Sequence, residues 1–258
     1  MQRLKILILG GTTEASALAR ALAGDVRFEP TLSLAGRTKA PRMPPIPFRI
    51  GGFGGVDGLV QYLKGEHVDL LVDATHPFAA QMSRHAAEAA RIADVPLLAV
   101  CRPAWRSVAG DRWTPVLDMA AAVVALGAAP RRVFLTIGQK ELAPFREAPQ
   151  HAYVIRSVDA PDAEALPPIA EVITARGPFA EADERRLLAG RKIEVIVTKN
   201  SGGSATEAKL GAARGLAIPV VMVERPARPE VETVTCAEDA LEWLERTHRR
   251  IAPSRRGV

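Results

Sequence analysis

The sequence predicts an α/β protein with two doubly wound domains, each built on a parallel β-sheet, and a ligand cleft between the domains. Short runs of β-branched residues and leucine alternate with longer alanine-rich segments of helical period, which is typical of βαβ units. This alternation stops once, at residues 102–115, where tryptophan, proline, glycine and mixed charges follow no clear period. We therefore predict two Rossmann-like domains, at 1–112 and 113–248, that bind the ligand at the carboxyl ends of their strands.

The first domain begins with the apolar strand 4–9, which leads through two glycines into a helix at 13–23. Its later strands are short apolar runs, and its later helices are longer segments with apolar residues three or four positions apart. In chain order they are a strand at 31–34, the proline-rich loop 41–47, a strand at 48–50, a helix at 56–64, a strand at 69–73, a helix at 78–93 and a strand at 96–100.

The second domain resumes the alternation after the break. Its strands are again rich in Val, Ile and Leu, and its helices are rich in Ala and Leu. In chain order they are a helix at 118–126, strands at 133–137, 153–156 and 171–174, a helix at 179–188, a strand at 194–198, a helix at 204–216, a strand at 220–223 and a helix at 237–246. The basic residues 249–258 show no such period, and we predict a disordered tail there.

The distribution of charge argues against nucleic acid as a partner. The chain of 258 residues has a formal net charge of +5, but five arginines lie after the last acidic residue, Glu245, so residues 1–245 are neutral. Aromatic residues make up 5% of the chain and do not interleave with that tail, as stacking on bases would require. We also expect no membrane partner, because the longest uncharged stretch, 119–130, is shorter than the ~20 apolar residues of a membrane span.

Several catalytic classes lack their signature. The patterns Gly-x-x-x-x-Gly-Lys and G-x-S-x-G and a Cys/His cluster at zinc spacing are missing, so we expect no kinase, no α/β-hydrolase and no bound metal. The two cysteines, Cys101 and Cys236, have neither metal nor redox spacing, and we find no export signal before the first strand. We therefore expect a cytoplasmic protein with reduced thiols.

The turn after the first strand has features of a dinucleotide site. Two glycines let the backbone approach a ligand, and the N–H groups at a helix start attract a diphosphate. The segment departs from G-x-G-x-x-G where a later glycine would stand, so a plain strand-to-helix turn is the alternative. The candidate cofactor-binding residues of this turn are Gly10, Gly11, Thr12, Thr13, Glu14 and Ala15.

Three further strand ends supply cofactor candidates. After the second strand no acidic residue is placed to bind the ribose hydroxyls of NAD, whereas Arg37 could bind a ribose phosphate, which favours NADPH; the alternative is a solvated basic loop. Gly52 allows close approach of the cofactor or of the other domain, or belongs to a flexible loop. Thr75 and His76 follow the fourth strand, where His76 could contact the nicotinamide, transfer a proton or be an ordinary loop residue.

In the second domain, strand ends deliver cations beside glycines. Lys140, Arg176 and Lys199 each follow a strand, and together they could converge on an acidic ligand, although each alone is typical of a surface charge. The turn 199–203 leaves backbone N–H groups accessible to a carboxylate or a phosphate. The candidate substrate-binding residues are Lys140, Arg176, Ser201, Gly202 and Gly203.

Five segments together resemble a known family. Residues 10–15, 73–79, 136–138, 175–179 and 198–203 occur in the order seen in precorrin-6A reductases of cobalamin biosynthesis, and the resemblance spans about residues 4–245. It implies an NADPH-dependent reductase that delivers hydride to one carbon–carbon double bond of a polycarboxylated tetrapyrrole and yields precorrin-6B, with a proton added at the neighbouring carbon. The residues alone indicate a dinucleotide crevice and an anion-binding domain; they do not indicate a tetrapyrrole.

The resemblance also implies roles for the matched residues. The turn 10–15 resembles the diphosphate site, and Arg37 resembles the 2′-phosphate ligand. Thr75 and His76 resemble the wall near the nicotinamide, whereas Lys199 and 201–203 resemble the side of the cleft that binds substrate carboxylates. The proton donor is Lys199, His76 or water, and we favour Lys199 because an ammonium also stabilises developing negative charge.

Two other functions stay open at this point. The chain could be an NADPH-dependent reductase of another polyanionic substrate, or a non-catalytic dinucleotide sensor. As partners we expect a small-molecule tetrapyrrole substrate and, at most, transient contacts with neighbouring pathway enzymes, with the protein itself a monomer. We also expect the two domains to close over the substrate, because closure excludes water from the path of the hydride.

Overall fold

The computed structural model describes residues 3–36 and 43–254. The chain forms two compact units. The first consists of Met1–Pro103 together with Ala227–Val258, and the second consists of Ala104–Pro226. The chain therefore leaves the first unit, completes the second, and then returns to the first.

Strands and helices alternate along both units. In chain order, the strands are β1 (Leu4–Leu9), β2 (Phe28–Leu34), β3 (Phe48–Ile50), β4 (Leu70–Asp73), β5 (Leu97–Val100), β6 (Trp113–Val116), β7 (Arg132–Thr136), β8 (Ala152–Ser157), β9 (Ala170–Thr174), β10 (Val195–Lys199), β11 (Val220–Val223) and β12 (Thr233–Val234). The α-helices are α1 (Thr13–Ala21), α2 (Val56–Gly65), α3 (Ala80–Ala93), α4 (Met119–Leu126), α5 (Glu181–Gly190), α6 (Ala208–Gly215) and α7 (Ala237–Ser254). Short 3₁₀ helices lie at Gln139–Glu141, Ala143–Glu147, Ala163–Ala165 and Ser204–Thr206.

The first unit is built on a six-stranded parallel sheet with the order β3-β2-β1-β4-β5-β12. Side chains alternate between its two faces, as the two-residue period of a strand requires. Ile6 and Ile8 of β1 belong to the core cluster with α1 and α7, whereas Leu7 and Leu9 belong to the cluster with α2 and α3. Helices on both faces of a parallel sheet define the doubly wound fold, so the predicted fold class is confirmed.

The second unit is built on another six-stranded parallel sheet, with the order β9-β8-β7-β10-β11-β6. Strands β7 to β11 repeat the order of β1 to β5. The sixth position is taken here by β6, which comes before them in the chain. Phe134 and Ile196 of the sheet pack in one cluster with Leu188 of α5 and Leu210 of α6, and α4 packs against β6 and β11, so this unit is a second α/β domain with helices flanking a parallel sheet.

The local sequence pattern did not predict β6 and β12, the strands that fill the sixth position of each sheet. β12 has only two residues, and β6 contains Pro115 and is largely solvent-exposed. Both are edge strands, which bond to a neighbour on one side only and tolerate proline and polar residues. Neither segment therefore contains the buried apolar run by which the other strands were predicted.

The division of the chain differs from the predicted domains 1–112 and 113–248. Residues 104–112 belong to the second unit, and the chain returns to the first unit at Ala227. The return is explained by two contacts: β12 pairs with β5, and Trp243 and Leu244 of α7 share a core cluster with Leu18 of α1. The local pattern of 227–248 did not predict this, because either parallel sheet can accept one more strand and helix.

The prediction of a disordered tail at 249–258 is wrong for residues 249–254. Helix α7 continues to Ser254, and residues 255–258 lie outside the described part of the chain. The ring of His248 packs edge-to-face on Phe28 with the centroids 5.6 Å apart, and Arg27 lies 2.8 Å from Glu245, so β2 and its flanking residue hold this helix. Within residues 3–36 and 43–254, no helix is both long and apolar enough to cross a membrane.

Candidate functional site

Each sheet has one point at which the strand order reverses, between β1 and β4 in the first unit and between β7 and β10 in the second. In doubly wound folds, ligands bind beyond the carboxyl ends of the strands at such a switch point. The predicted motifs occupy these four positions: 10–15 follows β1, 73–79 begins at the end of β4, 137–140 follows β7, and 199–203 begins at the end of β10. The fold therefore brings four of the five predicted segments to one switch point in each unit, whereas 175–179 follows β9, two strands from β7.

The turn after β1 is shaped by two glycines in different ways. Gly10 donates its N–H to the Ser33 carbonyl (2.9 Å), and a Cβ at Gly10 would lie 2.7 Å from Leu32 Cδ1. Gly11 has a φ of +118°, which favours glycine, and the space beside it is open. Close packing at Gly10 and open backbone at Gly11 make a turn that a diphosphate can approach.

Thr12 ties this turn to the neighbouring strand end. Its hydroxyl accepts the Ala15 N–H (3.1 Å) as the N-cap of α1 and donates to the Ala74 carbonyl (2.8 Å), which directly follows β4. Helix α1 begins at Thr13, and its first turn presents N–H groups and the positive end of the helix dipole at this switch point. Because its hydroxyl bonds within the protein, Thr12 shapes the site through the backbone.

Glu14 is engaged by an arginine that the sequence analysis missed. The Arg102 guanidinium lies 2.8 Å from Glu14 Oε2, and both side chains are largely buried. Arg102 follows β5 at the same edge of the sheet, so its distance in sequence hid the pairing. The ion pair offsets the negative charge that Glu14 would otherwise present to an anion at the start of α1.

The turn after β4 is organised by a buried carboxylate. Asp73 is 2% exposed, and its Oδ1 accepts the N–H (3.1 Å) and the O–H (2.6 Å) of Thr75, whereas its Oδ2 accepts the Arg228 guanidinium (2.7 Å). Nδ1 of the half-buried His76 accepts the Phe78 N–H (3.2 Å), so a neutral ring carries its proton on Nε2. Thr75 and His76 are therefore held at the same switch point as the turn after β1.

The glycine-rich segment after β3 is also held by an arginine. Arg49 donates to the carbonyls of Gly51 and Gly52 (3.0 Å each), and its guanidinium lies 3.9 Å from the centroid of the Phe53 ring. Gly52 therefore belongs to a turn with defined contacts at the end of the sheet. Arg37, the candidate 2′-phosphate ligand, lies outside the described residues, and its role stays a prediction.

The turn after β10 rests on a buried asparagine and a tryptophan, neither of which the sequence analysis selected. The Asn200 side chain accepts the Trp105 N–H (2.9 Å) and donates to the Trp105 carbonyl (3.3 Å). The indole N–H of Trp105 donates to the Gly203 carbonyl (3.2 Å). Gly202 and Gly203 have φ values of +67° and +79°, so this tight turn depends on glycine at both positions.

Lys199 ends β10 and is mostly buried, with 15% of its side chain exposed. Its Nζ lies 3.7 Å from Oε1 of Glu141, a residue of the segment that follows the neighbouring strand β7. Ser201 donates its N–H (2.7 Å) and its hydroxyl (3.2 Å) to the Lys199 carbonyl, which keeps the backbone tightly turned after the lysine. Lys199 is thus an ammonium beside a carboxylate at the second switch point.

The other two predicted cations, Lys140 and Arg176, are exposed at the same edge of the sheet. Lys140 lies after β7, next to β10, and Arg176 lies after β9, two strands beyond β7. With a strand spacing of about 4.8 Å, the three strand ends extend over roughly 14 Å. The cations therefore line one edge of the sheet, and their convergence on a single ligand stays a prediction.

A buried lysine supports the turn after β10. Lys209 of α6 is 2% exposed and donates to the Thr206 carbonyl (2.6 Å). Its Nζ lies 4.6 Å from the centroid of the Trp105 ring. Burial, together with the positive charge of Arg156, lowers the pKa of Lys209 to about 7, while the carboxylates of Glu184 and Glu207 act in the opposite direction. The charge of Lys209 therefore depends strongly on its surroundings.

Arg156 and Glu184 form a buried bidentate ion pair, with 7% and 3% of their side chains exposed. The Arg156 guanidinium also stacks on Phe179, 3.8 Å from the ring centroid, so the segment 175–179 has a structural contact as well as a predicted cation. A sequence signal for the pair exists, because Arg156 interrupts an apolar strand and Glu184 shares a helix face with the buried Leu188.

The chain is similar to one family along nearly its whole length. The family model described as precorrin-6x reductase CbiJ/CobK matches residues 5–245. A precorrin-6A reductase of Sinorhizobium sp is 56% identical over 248 residues, which cover 95% of both chains. A precorrin-6A reductase of Rhodobacter capsulatus is 51% identical over 240 residues, which cover 93% of this chain and 95% of that one. A solved structure, CobK precorrin-6A reductase, has a TM-score of 0.90 at 51% identity and covers 95% of this chain and 97% of its own.

Proposed function

The chain belongs to the precorrin-6x reductase family, and on that premise we propose that it reduces one carbon–carbon double bond of precorrin-6A with hydride from NADPH, giving precorrin-6B in cobalamin biosynthesis. The protein is accordingly an oxidoreductase. The observation that carries the proposal is the family match over residues 5–245, because this range includes both switch points.

The first switch point supports a nicotinamide dinucleotide as the cofactor. The open backbone at Gly11 and the first turn of α1 suit a diphosphate, and Arg102 offsets the charge of Glu14 beside them. Thr75 and His76, on the adjacent strand end, suit contact with the nicotinamide. When bound, NADPH supplies the hydride, and the task of these residues is to hold donor and acceptor in a productive orientation.

The second switch point supports a substrate with several carboxylates. Lys140, Arg176 and Lys199 lie along one edge of the sheet, which suits an extended polyanion better than a single carboxylate. The Ser201 N–H is bonded to the Lys199 carbonyl, and the N–H groups of Gly202 and Gly203 are of a kind that bind carboxylates elsewhere. Substrate recognition is therefore assigned to this edge, with Gly202 and Gly203 contributing their N–H groups and Ser201 contributing through the conformation of the turn.

We assign proton donation to Lys199, because its side chain is held at a strand end with Nζ 3.7 Å from the Glu141 carboxylate. Lys199→Met should lower kcat about 100-fold while the Kd for NADPH stays unchanged, and His76→Gln should lower kcat much less. A larger loss in His76→Gln would move the role to His76. Near-normal kcat in both variants would leave water as the donor and refute this assignment.

The decisive experiment mixes the protein with NADPH and precorrin-6A and follows the absorbance of NADPH together with the spectrum of the macrocycle. We expect one NADPH to be consumed for each macrocycle reduced. Binding of NADPH without any change in either spectrum would favour the dinucleotide-sensor function and would refute the reductase. Consumption of NADPH only with a different polyanion would refute precorrin-6A as the substrate.

Cofactor choice is tested separately by titrating the protein with NADPH and with NADH. If Arg37 binds the 2′-phosphate, Arg37→Ala should weaken NADPH binding about tenfold and leave NADH binding unchanged. Arg91→Ala, an exposed arginine on α3, is the matched control and should change neither affinity. Equal affinity of the wild type for the two cofactors would contradict the proposed preference for NADPH.

The state of the protein in the cell is a further part of the proposal. We propose a monomer in the cytoplasm that makes transient contacts with neighbouring pathway enzymes, as the sequence predicts. Light scattering of the purified protein at several concentrations tests whether it is a monomer. We expect the mass of one chain at every concentration, and a stable dimer would contradict this.

A further inference from the structure

The segment between β11 and β12 carries two arginines that are each followed by proline, Arg225-Pro226 and Arg228-Pro229. Proline fixes its own φ and keeps the preceding residue out of the helical region, so both arginines have a restricted, extended backbone. The first unit resumes at Ala227, so Arg225 belongs to the second unit and Arg228 to the first. Each arginine contacts the switch point of its own unit.

Arg225 holds the backbone of the turn after β10. Its Nε donates to the Asn200 carbonyl (2.8 Å) and its Nη2 donates to the Ser201 carbonyl (3.0 Å). The peptide bonds here are trans, so the C=O and N–H of one peptide group lie on opposite sides. By holding the Ser201 carbonyl, Arg225 fixes the Gly202 N–H on the opposite side of the turn.

Arg228 acts on the turn after β4 through one carboxylate. Its Nη2 lies 2.7 Å from Asp73 Oδ2, and the two side chains are 15% and 3% exposed. The other oxygen of Asp73 accepts both the N–H and the O–H of Thr75. Without Arg228, a buried carboxylate would lose its counter-charge, and its hold on Thr75 would weaken as it turned toward water.

We propose that Arg225 and Arg228 are positioning residues with separate tasks, Arg228 ordering the cofactor turn 73–76 through Asp73 and Arg225 ordering the substrate turn 200–203. The proposal rests on the proposed function, which assigns the first switch point to NADPH and the second to the macrocycle. Neither arginine needs to touch a ligand, because each acts through the peptide groups or side chains of a turn that does.

The test compares Arg225→Met and Arg228→Met, measuring the Kd for NADPH by titration and the KM for precorrin-6A by steady-state kinetics. Arg228→Met should raise the Kd for NADPH about tenfold and leave the KM for precorrin-6A within about twofold. Arg225→Met should raise the KM for precorrin-6A about tenfold and leave the Kd for NADPH within about twofold. Arg27→Met is the matched control, because Arg27 also joins carboxylates, Asp25 and Glu245, but away from both switch points; it should change neither constant.

A merely structural role predicts a different pattern, in which all three variants lower the melting temperature and the two constants move together or not at all. That result would overturn the proposal. If Arg228→Met does not yield folded protein, Arg228→Lys keeps the charge without the planar fork and should raise the Kd about threefold. An unchanged Kd in Arg228→Lys and Arg228→Met would equally overturn it.

A double variant shows whether Arg228 acts through Asp73. Combined with Asp73→Asn, Arg228→Met should raise the Kd for NADPH by much less than it does alone, because the carboxylate that it positions is gone. Independent, multiplicative effects would instead show that Arg228 acts on NADPH directly and would overturn the positioning role. Wild-type protein that binds no NADPH would overturn the proposed function itself, which distinguishes the two failures.

Discussion

The buried Lys209 leads to a prediction about how stability depends on pH. Its ammonium is in contact with the Thr206 carbonyl and the face of Trp105, and its pKa falls from 10.5 to about 7 on folding. The folded protein therefore binds fewer protons than the unfolded chain between pH 7 and pH 10.5. Stability rises with pH wherever the unfolded chain binds more protons, so this lysine destabilises the fold at low pH and ceases to do so as pH rises through 10.5.

The size of the effect follows from those two pKa values. One pKa unit corresponds to about 1.4 kcal/mol, so the unfavourable contribution of Lys209 is about 4 kcal/mol at pH 7 and about 2 kcal/mol at pH 9. The free energy of unfolding of the wild type should therefore rise by about 2 kcal/mol between pH 7 and pH 9 because of this group alone. Lys209→Met removes the titration, and the variant should lack this part of the rise.

The assay is chemical denaturation of the wild type and Lys209→Met at several pH values between 7 and 9. The difference between their free energies of unfolding should shift by about 2 kcal/mol in favour of the wild type over this range. Lys64→Met, an exposed lysine in the last turn of α2, is the matched control and should show no such shift. A difference between the wild type and Lys209→Met that stays constant from pH 7 to pH 9 would refute a lowered pKa.

Three further predictions concern the elements around the two sites. Thr12→Ala removes the N-cap of α1 and should lower the free energy of unfolding, measured with denaturant, by about 1 kcal/mol. Thr12→Ser keeps the hydroxyl and should lower it clearly less; equal losses in the two variants would contradict the capping role. Arg156→Met leaves the buried Glu184 carboxylate without its counter-charge and should lower the free energy of unfolding by about 3–5 kcal/mol. Arg186→Met, at the exposed pair with Asp183, should lower it by less than ~1 kcal/mol, and similar losses in the two variants would show that burial does not decide the cost. Gly58→Ala places a Cβ against the Phe53 carbonyl and should lower the melting temperature by about 10 °C or more. Gly65→Ala, in the same helix with open space around it, should not lower the melting temperature; an unchanged melting temperature in Gly58→Ala would show that α2 moves away from Phe53 without cost.

The strands that the sequence predicted well are those buried on both faces. β1 and β4 consist almost wholly of buried residues, which is why a plain apolar run identifies them. β12, with two residues at a sheet edge, has no such requirement, and its pairing with β5 depends on where α7 packs. The return of the chain to the first unit was therefore beyond local patterns, since it is decided by the pairing of segments far apart in sequence.

In the candidate site, too, the local sequence predicted some features, the glycine turns, and missed others, the paired arginines. The glycine turns at Gly11 and at 202–203 were predicted because glycine lets the backbone approach a ligand and leaves N–H groups accessible, and the structure gives all three glycines a positive φ. Arg102, Arg225 and Arg228 were missed because an arginine in a loop looks the same whether it is solvated or paired. Their partners become visible only once the strand order is known.

By itself, the sequence determined the fold class, the order of most strands and helices, the family resemblance, and the strand ends at which we propose that ligands bind. These properties follow from short-range physics, namely the alternation of side chains across a strand, the helical period and the conformations that only glycine adopts readily. Only the tertiary structure decided which strand ends are neighbours and which charges are buried together. Asp73 and Arg228 are 155 residues apart, and their ion pair exists because the strand order brings the end of β4 and the segment before β12 to the same edge of one sheet.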